Sequence, residues 1–177
     1  MGRWHAHACT RAGGRVVAVV DPDLEAAGRL SAAHHHAAIA RSLQDVPADL
    51  RLQLVHVCSP PETHERAIRE AFACGCSALV EKPAAPNAEA TARLVAEGIA
   101  SHLWIEPVHQ VLFQRGVEQA RGWLREMGVL RLFDYRVCSA GAEDRPDRAG
   151  LIADEILPHP LSLLDALLPG LHMRTRR

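Results

Sequence analysis

Residues 77–83 read Ser-Ala-Leu-Val-Glu-Lys-Pro, an apolar run that ends in an ionisable pair and a proline. A buried strand ends in this way where an open α/β sheet presents its ligand crevice, at the carboxyl ends of its strands. Lys82 is a candidate proton carrier there, since a lysine amine can release and regain a proton in a partly buried site. Taken alone, Glu81-Lys82-Pro83 is more often an ordinary loop that leads into a helix, so its surroundings must decide.

Apolar runs of strand length alternate with segments of helical periodicity on both sides of this stretch. The runs that we interpret as strands span residues 16–20, 52–58, 77–80 and 103–106, and the helical patterns between them span residues 24–33, 62–74 and 87–98. Strands that alternate with helices at this spacing predict an α/β fold with a doubly wound parallel sheet.

The pattern changes after Pro107. The segments beyond it are a predicted helix over 113–127, a strand over 129–138, a polar loop over 139–150 and a helix over 161–168. We therefore divide the chain into a first domain, residues 1–107, and a second region, residues 108–177. The second region is too short to form a complete α+β domain.

The composition argues against several functional classes. The 177 residues include 48% hydrophobic and 23% charged residues, and the formal net charge of −1 provides no electrostatic signature for nucleic acid or an anionic membrane. No apolar run is long enough to span a bilayer. Five cysteines and no apolar core of a signal peptide are typical of a cytoplasmic protein with reduced thiols. Cys74 and Cys76 are separated by one residue, so we predict no metal site.

Asp21 directly follows the first predicted strand. In a dinucleotide-binding unit an acidic residue in this place accepts hydrogen bonds from a ribose hydroxyl, about twenty residues beyond a glycine-rich turn. Gly2 lies at the matching distance and fits the last glycine of that fingerprint. Asp21 is equally compatible with a simple turn former in Asp21-Pro22-Asp23, and both interpretations stay open.

Several motifs occur in one order along the chain and together resemble the Gfo/Idh/MocA family of oxidoreductases, which includes glucose–fructose oxidoreductase and inositol dehydrogenase. The segments that carry the resemblance are 2–6 (Gly-Arg-Trp-His-Ala), 17–22 (Val-Ala-Val-Val-Asp-Pro), 57–64 (Val-Cys-Ser-Pro-Pro-Glu-Thr-His) and 80–83 (Val-Glu-Lys-Pro). The resemblance implies a Rossmann domain that binds NAD or NADP, followed by part of an α+β domain. It also implies hydride transfer at a hydroxyl-bearing carbon of a sugar, a cyclitol or a related small molecule.

The family resemblance also implies roles for particular residues. Lys82 resembles the catalytic lysine that handles the hydroxyl proton, and a cis Lys82–Pro83 bond would aim it into the crevice. His159 resembles the histidine beside the substrate, although a plain histidine at the start of a helix is an equal alternative. The residues expected at the cofactor are Gly2, Asp21, Ser59, Pro60, His64 and Glu81. NAD is favoured over NADP, because the Asp21 carboxylate would repel a 2′-phosphate.

The departures from the family pattern concern both ends of the chain. The strand and the first two glycines of the fingerprint would precede Met1, and the substrate sheet would continue beyond Arg177. We therefore expect a truncated sheet that lacks its first strand, with the strands at 16–20 and 52–58 missing their shared neighbour. Catalysis would be impaired in such a chain. A non-catalytic remnant, or a nucleotide-binding or interaction module, is the alternative. A homo-oligomer is compatible with it, because unpaired strand edges favour association.

Overall fold

The computed structural model describes residues 1–129, 131–136 and 156–169. In chain order the elements are α1 (Gly2–Arg11), β1 (Ala18–Val20), α2 (Leu24–Ala32), β2 (Ala38–Ala40), β3 (Leu54–Val57), α3 (His64–Ala73), β4 (Ser77–Val80), α4 (Ala88–Ala100), β5 (Ile105–Pro107), α5 (Arg115–Met127) and α6 (Pro158–Leu167). Short 3₁₀ turns occupy Leu43–Asp45, Pro61–Thr63 and Gln110–Phe113. The chain divides into two compact units, Met1–Val108 and His109–Arg177.

The first unit is built on parallel strands, as the alternating pattern predicts. β1 pairs with β2, and β3, β4 and β5 pair in that order; every pairing is parallel. Among the described residues no hydrogen-bonded ladder joins β1 to β3. The fold is therefore a Rossmann-type α/β arrangement whose strands fall into a pair and a triplet, and the two strands expected to lack a shared neighbour are indeed separate.

The sequence missed β2 and placed several strand boundaries too early. β2 is an alanine-rich strand that follows three histidines, and it lacks the run of β-branched residues that normally identifies a strand. Its strand conformation comes from pairing with β1, in which Ala38 lies opposite Ala18 and Ala40 opposite Val20. β1 itself begins at Ala18 rather than at residue 16, because regular pairing with β2 begins there.

The larger core of the first unit lies between the β3–β4–β5 sheet and helices α3 and α4. Ile68 of α3 and Leu94 of α4 are both fully buried against Val80 of β4. Helix signals in the sequence are confirmed here: the Asn87 side chain caps α4 by accepting from the Ala90 N–H at 2.8 Å. Gly75, with a φ of 70°, takes the left-handed conformation that ends α3.

Helix α1 contacts elements of both parts of the sheet. Gly2 lies beside α2, because a Cβ built on it would be 4.0 Å from the Leu30 side chain. One turn further, His5 contacts His56 of β3 with a distance of 3.1 Å between their Nδ1 atoms. Helix α1 therefore contacts α2 on one side and β3 of the β3–β4–β5 sheet on the other.

The second unit differs from the sequence prediction. In it, the Arg121 guanidinium of α5 donates to the Ala166 carbonyl of α6 at 3.1 Å. The predicted strand over 129–138 is wrong for residues 131–136, which are described and form no strand. The alternation of apolar and polar residues there lacks a partner strand among the described residues, and strand structure depends on pairing. The predicted loop over 139–150 lies outside the described residues.

Two further observations concern the described part of the chain. It contains no helix that combines the length and the apolar character needed to cross a bilayer. Nor does it contain a group of three or more His, Cys, Asp or Glu side chains arranged to hold a metal ion.

Candidate functional site

The loops that follow β3 and β4 form the centre of the candidate site. The two strands are parallel neighbours with Val57 opposite Val80, so the residues that follow them emerge at the same edge of the sheet. Ser59 and Pro60 follow β3 and are exposed, whereas Glu81 is 8% exposed and Lys82 is half-buried. The Lys82–Pro83 bond is cis, as expected. The structure therefore brings together three of the predicted cofactor residues, Ser59, Pro60 and Glu81, and the predicted catalytic lysine.

The turn after β3 is held by a chain of hydroxyl hydrogen bonds. The Thr63 hydroxyl donates to the Pro60 carbonyl at 2.8 Å, and it lies 2.6 Å from the Ser59 hydroxyl. Because the Thr63 hydroxyl donates its single proton to the Pro60 carbonyl, the Ser59 hydroxyl is the donor in the contact between the two side chains. Ser59 and Pro60 thus form a short, pre-ordered turn at the sheet edge.

His64 ties this turn to the loop of the lysine. It is fully buried, with Nε2 at 2.8 Å from the Ser59 carbonyl and Nδ1 at 2.8 Å from the Pro83 carbonyl. A carbonyl oxygen only accepts, so a ring nitrogen donates to it only where that nitrogen carries a proton, and a neutral ring donates to one of the two carbonyls. The buried ring supports a role in holding the two loops, and a direct contact between His64 and the cofactor stays a prediction.

The amino terminus of α1 lies near the carboxyl end of β3. Burial first, and the Glu81 carboxylate second, raise the pKa of the Cys58 thiol to about 12. The Met1 amino group lowers that pKa, which indicates that the start of α1 is near Cys58. The first N–H groups of a helix have no partner within it and attract anions. Gly2, the predicted last glycine of the fingerprint, begins this helix.

Packing does not require a glycine at position 2. A Cβ there would meet only Leu30 at 4.0 Å, an ordinary van der Waals distance. The third glycine of a dinucleotide fingerprint is needed where helix and strand backbones pack closely, and no such approach involves Gly2 in the described residues. A contact between Gly2 and the cofactor stays a prediction.

Asp21 follows β1 and shapes the turn into α2. Its backbone N–H donates to the Ala40 carbonyl at 3.1 Å, and its Oδ1 accepts from the Asp23 N–H at 2.8 Å. The Asp23 side chain in turn caps α2, as predicted. Arg41, which follows β2, donates to the Pro22 carbonyl at 3.0 Å and adds a cation beside this turn. Asp21 therefore does form the turn, and its role at a ribose stays a prediction.

Two functional candidates were missed in the sequence. His5 Nε2 lies 3.0 Å from Glu81 Oε1, and both side chains are about nine-tenths buried. His56 meets the other nitrogen of His5. The available signals were the histidine within the motif 2–6 and a polar residue inside an apolar strand, but neither signal identifies a partner.

His159 belongs to the second unit. It lies in the first turn of α6, and its carbonyl accepts from the Ser162 hydroxyl at 3.0 Å. Its predicted proximity to Lys82, which belongs to the first unit, stays a prediction.

Known proteins resemble this chain over most of its length. A scyllo-inositol 2-dehydrogenase (NADP⁺) of Bacillus subtilis is 23% identical over 144 residues, which cover 81% of this chain and 44% of that protein. The WlbA dehydrogenase of Thermus thermophilus, solved with NAD and UDP-GlcNAcA, is 24% identical with a TM-score of 0.73, over 94% of this chain and 58% of its own. The myo-inositol dehydrogenase of Lactobacillus casei, solved with NAD(H) and myo-inositol, is 23% identical with a TM-score of 0.73, over 95% and 51%. The chain thus spans about half the length of these relatives.

The match at the level of the family covers the whole first unit except its last residues. The sequence model of an oxidoreductase family with an NAD-binding Rossmann fold matches residues 1–102, more than half of the chain. The parallel strands with helices between them agree with that description. This chain belongs to the Gfo/Idh/MocA family of oxidoreductases.

Proposed function

We propose that this chain carries the cofactor-binding part of an NAD(P)-dependent oxidoreductase. Its substrate would be a sugar, a cyclitol or a related small molecule, oxidised or reduced at a hydroxyl-bearing carbon. The observation that carries the proposal is the convergence, near the carboxyl ends of β3 and β4, of the α1 amino terminus, the Ser59–Pro60 turn and the Glu81-Lys82 pair. Ligands of open α/β sheets bind at this edge.

The residues present fit a dinucleotide in three respects. The start of α1 provides N–H groups and a positive dipole end for the pyrophosphate. The exposed Ser59–Pro60 turn would line the cofactor, and the Asp21 carboxylate follows β1 and would accept from a ribose hydroxyl. When bound, the nicotinamide would accept or provide the hydride.

Lys82 and His159 would manage the proton that accompanies this transfer. Lys82 would take the hydroxyl proton at Nζ during oxidation and return it during reduction, and half-burial would shield the amine from bulk water. His159 would act on the same hydroxyl from the second unit. We propose that the protein acts in the cytoplasm. We also propose that catalysis is impaired in this chain, because the edges of β1 and β3 are unpaired among the described residues.

A fluorescence titration with the reduced cofactor tests binding. We expect NADH emission to change with a dissociation constant below about 1 mM, roughly −4 kcal/mol or better. Lys82→Ala should leave this constant within about threefold and abolish turnover of inositol substrates, because the amine serves the proton and not the nucleotide. No emission change up to several millimolar NADH or NADPH, with a protein shown to be folded by circular dichroism, would contradict the proposal.

A non-catalytic interaction module is the second candidate. The unpaired edges of β1 and β3 favour it, because free backbone N–H and C=O groups recruit further strands. Light scattering distinguishes the interaction module from the oxidoreductase. A concentration-dependent homo-oligomer that binds neither cofactor would support the interaction module, whereas a species that binds cofactor would support the oxidoreductase.

A further inference from the structure

A cluster of three titratable side chains lies beside the candidate lysine, and the scheme above assigns no role to two of them, His5 and His56. His5 comes from α1, His56 from β3 and Glu81 from the end of β4. His5 is the central member, with Nε2 at 3.0 Å from Glu81 Oε1 and Nδ1 at 3.1 Å from His56 Nδ1. The two imidazole rings meet edge to face, with centroids 5.3 Å apart.

The geometry restricts where protons can sit. An ionised carboxylate only accepts, so the contact with Glu81 requires a proton on His5 Nε2. The contact between the two Nδ1 atoms is a hydrogen bond only when one of them carries a proton and the other does not. With His5 neutral, His56 must donate from Nδ1; with His5 as an imidazolium, His56 must be neutral and accept there.

We propose that His5 is the positioning residue for Glu81, and that His5 and His56 hold a single proton between their facing nitrogens. The pair then bears at most one positive charge. The proton on His5 Nε2 holds the buried Glu81 carboxylate in one orientation, next to Lys82 in the chain.

The surroundings agree with this distribution of charge. Burial, and then the charge of His5, lower the pKa of His56, which keeps His56 neutral when His5 is protonated. The Cys58 thiol at the end of β3 is also near the cluster, since burial first and the Glu81 carboxylate second raise its pKa and keep it protonated. Lys82 follows Glu81 directly in the chain.

The consequence for cofactor binding rests on the proposed function. While the pair of imidazoles bears its positive charge, that charge and the Glu81 carboxylate cancel. When rising pH removes the positive charge, one proton still stays between the facing Nδ1 atoms, and a net negative charge remains beside the site. That negative charge favours the oxidised nicotinamide, which is cationic, over the reduced one. The affinity ratio of NAD⁺ to NADH should therefore increase as pH rises through the titration of the cluster.

Nitrogen-15 NMR of the histidine rings tests the cluster without any cofactor. In the wild type we expect one protonated and one unprotonated Nδ1 among His5 and His56 at every pH at which the protein is folded. In His5→Gln, whose amide can still donate to Glu81, the pKa of His56 should rise because the charge of His5 is gone. The matched control is His7→Gln, an exposed histidine of the same helix, which should leave the His56 titration unchanged.

Two results would overturn the inference. One is a wild-type spectrum in which both Nδ1 atoms are protonated, or both unprotonated, and this result needs no variant to fold. The other is a His56 titration that is identical in wild type and folded His5→Gln. A wild type that binds no cofactor but shows the expected ring nitrogens would contradict the proposed function alone, because the NMR readout does not depend on it.

Discussion

At the scale of single residues, charge placement is the main determinant of the proposed cofactor preference. Asp21 sets a carboxylate at the end of β1, while Arg41 sets a guanidinium against the Pro22 carbonyl of the same turn. A carboxylate here favours NAD, whereas a nearby arginine accommodates the extra phosphate of NADP. The two side chains would therefore act in opposite directions on the proposed selectivity.

Substitution of either residue should move that balance. We expect Asp21→Ser to raise the affinity for NADPH relative to NADH by about tenfold, a change of roughly 1.4 kcal/mol, because the repulsion of the 2′-phosphate is removed while the serine can still accept from Asp23. Arg41→Gln should shift the ratio the other way. The measurement is a pair of fluorescence titrations for each variant.

Asp49→Ser is the control for these titrations, since Asp49 is an exposed carboxylate in the loop before β3. It changes the net charge of the protein by the same amount and should leave the ratio of affinities unchanged. If Asp21→Ser behaves like Asp49→Ser, Asp21 is a turn former only.

At the scale of elements, two helices pack against the strands whose carboxyl ends form the candidate site. α3 and α4 cover β3 and β4, and Leu94 of α4 is fully buried in their common core. Arg69 of α3 also pairs with Glu97 of α4 at 3.0 Å on the surface, where solvent screens the pair. Apolar burial, rather than this ion pair, therefore provides most of the stability of the α3–α4 packing.

Truncation of Leu94 should show this directly. Leu94→Ala removes buried methyl groups and leaves a cavity, so the free energy of unfolding should fall by about 2–5 kcal/mol. The next residue of the same helix, Val95, is 41% exposed, and Val95→Ala should cost no more than about 1 kcal/mol. Urea denaturation followed by circular dichroism measures both. Equal losses would mean that α4 does not pack as described.

At the scale of the whole molecule, the stability at alkaline pH depends on a thiol near the site. Burial, followed by the Glu81 carboxylate, raises the pKa of Cys58 from 9.0 to about 12. A group whose pKa is raised by folding stabilises the protein fully below the unfolded pKa, and this contribution is lost as pH rises toward the folded pKa. The Cys58 contribution is therefore present at pH 8 and is lost between about pH 9 and 12.

A thermal series over this pH range tests the sign. The melting temperature of the wild type should fall more steeply between pH 9 and 11 than that of Cys58→Ala, because the variant no longer has to keep the partly buried Cys58 thiol protonated, whereas the buried Cys76 thiol is common to both proteins. Cys74→Ala, which removes an exposed thiol, should follow the wild-type slope. Parallel slopes for wild type and Cys58→Ala would show that Cys58 does not ionise more easily in the unfolded chain.

The sequence by itself determined the alternation of strands and helices, the Asp23 and Asn87 caps, the turn after β3 and the family motifs. These features depend on side chains within a few residues of each other, so local pattern identifies them. β2 escaped this reasoning because its strand conformation comes from pairing with β1 and not from its own alanine-rich sequence.

Only the tertiary structure decided which side chains meet at the candidate site. His5 and Glu81 are 76 positions apart, His5 and His56 are 51 apart, and His64 reaches the Pro83 carbonyl across 19 positions. No periodicity or motif encodes such contacts, because they follow from the packing of α1 onto the sheet and from the parallel register of β3 and β4. Burial strengthens these contacts, because a hydrogen-bonded carboxylate or imidazole keeps its arrangement of protons once water is excluded.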